Sequence, residues 1–144
     1  MTKTYKPDSL SKSEYEKLSN FRFALRRFMK FSEEAAESNG LTAQQHQALL
    51  TIKGFPGRDH ITNGELAEWL QIKHHSAVGL VNRLEAQNLI SRERNDNDKR
   101  EIHISLTPLG MEILEKLTTI HQKELKSVAP LLSNIFKSLN LKSN

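Results

Sequence analysis

From Leu10 to Ser38 the side chains Phe21, Leu25, Phe28, Met29, Ser32 and Ala36 recur in steps of three and four, with few helix breakers between them. That spacing predicts one long amphipathic helix. Asn39-Gly40 reads as its stop, and Thr42 with Gln45 forms a capping box that opens a second helix through about Lys53. Gly54-Phe55-Pro56-Gly57 breaks that helix. Thr62 with Glu65 repeats the capping box and predicts a short helix to Leu70, followed by a turn at Gln71 to Lys73. The next helix, from His74 to about Gln87, turns Ala77, Leu80, Val81 and Leu84 to one side. His75, Ser76, Gly79, Asn82 and Arg83 fall on the other.

Beyond Gln87 the period changes from helical to two. Leu89 to Arg92 and Glu101 to Leu106 read as strands around a polar Asn/Asp loop, which predicts a hairpin with an extended tip. Thr107-Pro108 is a good N-cap followed by a proline suited to the first helical position. It starts helices expected to run through Leu125 and, after a break at Pro130, to about Leu141. Ile113, Leu114, Leu117, Ile120, Leu131, Leu132, Ile135, Phe136 and Leu139 give these helices more apolar surface than one small globule needs. Two copies interlocked through their first and last helices would bury the surplus. The alternative is an ordinary intramolecular helical core.

Composition narrows the picture only a little. A chain of 144 residues, 37% hydrophobic and 26% charged, suits one continuous domain. The net charge of +4 favours a polyanionic partner without requiring one. No cysteine is present, so disulfides and thiolate metal sites are excluded. No run of about 18 apolar residues and no secretory leader is visible, which makes the cytoplasm the expected compartment and a membrane partner unexpected.

The chemistry concentrates between Ile61 and Gly110. A helix fits the major groove of B-DNA, and a hairpin tip reaches phosphates or the adjoining minor groove. On the exposed face of the second helix of the pair, Asn82 offers a donor and an acceptor suited to an adenine edge. Arg83 suits guanine or phosphate, Lys73, His74, His75 and Ser76 suit phosphates or purine acceptors, and Gly79 lets the backbone come close. In the hairpin Arg92, Arg94, Lys99 and Arg100 stand against Glu93, Asp96, Asp98 and Glu101, so geometry rather than bulk charge must do the binding.

From Leu41 to Gly110 the chain resembles the MarR family of bacterial transcriptional regulators. The resemblance is carried by Gly64-Glu65-Leu66-Ala67-Glu68-Trp69-Leu70, by His74 to Glu85, by the run Arg92 to Arg100, and by Leu106-Thr107-Pro108-Leu109-Gly110. It implies a mainly α fold with a small β-hairpin wing, α+β in class: a winged helix-turn-helix with long dimerisation helices at both ends. On that plan residues 1–144 are a single domain, with dimerisation helices at 10–38 and 111–141 and a DNA-binding lobe at 41–110. It also implies that Asp98 holds Arg100 for entry into the minor groove, with Arg94 and Lys99 beside it, and that a homodimer reads a pseudo-palindromic operator in double-stranded DNA. A small aromatic or phenolic effector would release a repressor of this kind. Two positions depart from the family pattern: Lys73, where a serine or threonine N-cap is common, and Gly79, where a longer polar side chain is common.

Other readings carry less. His46, His60, His74, His75, His103 and His121 invite a metal-responsive regulator, yet no pair has helical spacing with carboxylates, and adjacent His74 and His75 diverge by about 100° on a helix. Neither metal nor cofactor is therefore expected. Trp69 reads as packing before it reads as a ligand wall, and Arg22, Arg26, Arg27 and Lys30 as a solvated face. No glycine-rich phosphate loop, nucleophile elbow or cofactor fingerprint supports an enzyme. A winged-helix interaction adaptor without DNA binding is the remaining alternative.

Overall fold

The computed structural model describes residues 9–139. The elements run α1 (Lys12–Ser38), α2 (Ala43–Lys53), β1 (His60–Ile61), α3 (Asn63–Leu70), α4 (His74–Ala86), β2 (Ile90–Arg94), β3 (Ile102–Leu106) and α5 (Pro108–Ser138). The local chemistry explains most boundaries. Both capping boxes close: Thr42 and Thr62 accept from the backbone N–H of Gln45 and Glu65, whose side chains accept in return from the threonine N–H groups. Gly40 ends α1 with φ +76°, a conformation costly for any residue with a Cβ. At α5 the Thr107 hydroxyl accepts from the Gly110 N–H at 3.0 Å, and Pro108 is the first helical residue.

Two features differ from the sequence reading. The hairpin is part of a three-stranded antiparallel sheet of order β1-β3-β2, in which His60 pairs with Ser105 and Ile61 with Ile104. Two residues are too few to show a period, so β1 is set by its partner strand. The second difference is Pro130, which lies inside α5 rather than ending it. Its site is exposed, so the carbonyl left without a helical donor can turn to water, and the apolar row through Val128, Leu132 and Ile135 continues across it. The expected end at Leu141 lies outside the described residues.

The chain divides into two compact units. Glu33–Ile120 holds the helix-turn-helix and the sheet around a core that includes Leu49, Ile52, Ile61, Leu66, Leu80, Leu84, Ile104 and Leu117. The other unit pairs α1 up to Ser32 with α5 from His121 onward. There Ala24, Ser32 and Ile135 are buried, Phe21 meets Phe136 at 5.9 Å, and His121 bonds the Ser32 hydroxyl at 2.8 Å beside Phe28 and Phe31.

Candidate nucleic-acid interface

α4 is fixed by its inner face, where Ala77, Leu80, Val81 and Leu84 are at most 1% exposed. The opposite face is open. Lys73, His74, His75, Asn82 and Arg83 are exposed, while Ser76 and Gly79 are half-buried. Lys73 occupies the N-cap without a side-chain hydrogen bond, so the first N–H groups of α4 are not capped by that residue. A Cβ built on Gly79 would sit 3.5 Å from Nη1 of Arg83. The arginine thus lies back over the strip that the glycine leaves bare.

A residue outside the expected set joins this face. Arg92 on β2 donates from Nη2 to the Asn82 carboxamide oxygen, and its Nε lies 3.1 Å from Oε2 of Glu85. Sequence offered only a weak signal. Strand alternation places Arg92 on the face of buried Ile90, but nothing local shows that α4 packs against that face.

In the wing, Asp98 Oδ1 accepts from both the Arg100 backbone N–H, at 3.0 Å, and its Nε, at 3.3 Å. The Arg100 side chain is 93% exposed, so it is tethered at its base and free at its end. The tip closes through Asn95 N–H to the Glu101 carbonyl, Glu101 N–H to the Asp98 carbonyl, and Asn97 N–H to the Asn95 side chain. A recess of about 400 Å³ has Thr62, Asn63, Gly64, His74, Asp98 and Arg100 among its walls, which brings the starts of α3 and α4 together with the wing. Arg94 and Lys99 are exposed on the wing and do not line that recess.

The lobe's charge is partly internal. Glu65 pairs with Arg58, which stacks over Phe55 at 4.5 Å. Burial acts to raise the Glu65 carboxyl, but the Thr62 N–H and hydroxyl and the Arg58 guanidinium outweigh it and hold the group below the usual carboxylate range. Phe55 also meets Trp69 at 5.3 Å; the indole remains 52% exposed, a surface packing contact rather than a cavity wall. On α1 Arg27 lies over Phe23 at 5.8 Å. His60 and His103 stack at 4.0 Å, and His103 Nε2 is 2.7 Å from Glu101. Among the described residues no group of three or more His, Asp or Glu could hold a metal ion, and no helix is long and apolar enough to cross a membrane.

Residues 39–101 match the MarR family model. The HTH-type transcriptional repressor MdtR of Bacillus subtilis is 34% identical over 77 residues, 54% of this chain and 48% of that protein. The chain spans about half the length of the curated relatives it matches. Among solved structures, MepR, a transcription regulator of the Staphylococcus aureus multidrug efflux pump MepA, superposes with TM-score 0.73 at 21% identity, covering 91% of this chain and 98% of that one. The S. aureus MepR–DNA complex superposes with TM-score 0.62 at 24% identity over 83% and 95%. At these identities the structural likeness establishes the winged-helix fold.

Proposed function

We propose, from the premise that residues 39–101 and the fold around them belong to the MarR family, that this chain is a sequence-specific DNA-binding transcriptional regulator, a homodimeric repressor acting in the cytoplasm. The observation that carries the reading is one juxtaposition. The exposed polar face of α4 begins beside a wing arginine that Asp98 anchors at its base, so a helix for the major groove and a cation for the minor groove share one side of the lobe. The matched neighbour solved on DNA supports it by analogy.

The dimer is supported by what the α1–α5 unit leaves uncovered. Leu18 and Phe136 are each more than half exposed, and Leu25, Met29 and Leu125 more than two-fifths; Leu18, Leu25 and Met29 share one side of α1, a stripe suited to a second copy. Two lobes would then read half-sites about one DNA turn apart. A recess of about 230 Å³ in the same unit, walled by Phe21, Leu25, Phe28, Leu125, Val128 and Leu132, supports a small aromatic or phenolic effector, since apolar cavities of about 150 Å³ take up a benzene ring. Such a ligand acts only by preferring the state that does not bind DNA.

The test is selection of DNA from a random duplex pool by the purified full chain. The reading expects an enriched inverted repeat with half-site centres about ten base pairs apart. A pool that stays random contradicts it.

A further inference from the structure

The carboxamide best placed to read a base on α4 does not have its whole polar end to offer. Arg92 donates from Nη2 to the Asn82 oxygen, and the Glu85 carboxylate, one turn further along the helix, is ion-paired 3.1 Å from Nε on the same edge of the guanidinium. Arginine has five N–H donors and no acceptor, so the amide atom that faces it is the oxygen. The arrangement is anchored on both sides. The Arg92 side chain is only 26% exposed, its backbone pairs with Ile104 in the sheet, and α4 is locked by its buried inner face. The NH₂ group of Asn82 is therefore the end turned away from Arg92, with both donors unengaged by that contact, while the oxygen has one lone pair engaged.

That changes the base it can read. An adenine edge shows an N7 acceptor and an N6 donor in the major groove, and matching both requires both ends of a carboxamide. Guanine shows two acceptors, N7 and O6, and asks only for donors. We propose that Arg92 is a specificity-determining positioning residue: by engaging the Asn82 oxygen and turning it toward the sheet, it makes Asn82 read chiefly through its two donors and so select guanine over adenine at the base pair it meets. The proposal rests on the DNA-binding reading above, and Arg92 acts in it through Asn82 without touching a base.

The experiment is the same duplex selection run with the full native chain and with Asn82→Ala, Arg92→Met and Asn82→Asp. The position whose preference relaxes in Asn82→Ala is the pair that Asn82 meets. There the native chain is expected to favour guanine over adenine by about ten-fold. Arg92→Met, which frees the oxygen, is expected to move that one position toward adenine and leave the base order elsewhere unchanged. Asn82→Asp keeps a partner for Arg92 but loses the donors, so it is expected to abolish the guanine preference; a guanine preference that survives in Asn82→Asp overturns the proposal even if Arg92→Met folds poorly. Three further results overturn the proposal: no position relaxes in Asn82→Ala, the native preference there is adenine, or Arg92→Met weakens every site evenly with no reordering of bases. A native chain that enriches no sequence overturns the DNA-binding reading itself, and the proposal with it.

Discussion

Arg100 combines two properties: its side chain is almost fully exposed, yet its backbone N–H and Nε are both tied to one carboxylate oxygen. If it enters a groove, its truncation removes a contact and no core packing. Arg100→Ala is expected to lose about 1–3 kcal/mol of operator affinity at matched salt with an unchanged melting temperature, and Asp98→Ala to lose less. Equal affinities measured by fluorescence anisotropy would remove the wing from the account. Glu65 gives a second test. Its carboxyl is held below its ordinary value of 4.5, so the charged form is favoured by folding, and the stability it confers is present above about pH 4.5 and lost as pH falls below it. Glu65→Gln should therefore melt lower than the native chain at pH 7, with the gap narrowing under acid. A gap that is constant from pH 7 to pH 3 would mean the charge is irrelevant. The two capping boxes were legible in sequence because threonine and its partner lie three residues apart. The bond from Arg92 to Asn82 was not, because it joins a strand to a helix across ten residues and exists only once α4 and β2 pack.

At the scale of elements, helices whose caps and apolar rows are local were readable to within a residue or two, and the exceptions have physical causes. β1 carries no periodicity of its own, and its pairing depends on where β3 lies. Pro130 signals a break by local rules, but at an exposed site a continuing apolar row outweighs one missing hydrogen bond. Gly110 shows the opposite case, a local residue with a tertiary reason. A Cβ there would fall 2.2 Å from the Leu89 carbonyl oxygen, at the junction where Thr107 N–H also bonds Leu89 and the Thr107 hydroxyl bonds Asn88. Gly110→Ala must push α5 away from the start of β2. The expected cost is about 1–3 kcal/mol, read as a lower denaturation midpoint with unchanged slope. A midpoint equal to the native one would show that this junction yields without cost.

For the whole molecule, the apolar rows of the first and last helices were visible in sequence; the structure leaves Leu25, Met29, Leu131 and Phe136 of those rows exposed and buries Ala36, Leu114, Leu117 and Ile135 within the chain. Sedimentation of the full chain at micromolar concentration is expected to give a dimer, and a monomer there would refute the interlocked-helix reading. Sequence could not show which groups of the lobe face one another, since the recess that joins His74 to Asp98 and Arg100 is made by packing of the sheet against the helix pair. The central claim is that this surface binds duplex DNA by sequence. The most direct measurement is anisotropy of the full chain on a selected duplex and on a scrambled duplex of equal length, from about 50 to 300 mM salt. The account predicts at least a thousand-fold preference for the selected duplex, with log affinity falling linearly in log salt at a slope of about −0.9 per phosphate contacted. Equal affinity for the two duplexes, or affinity indifferent to salt, would contradict it.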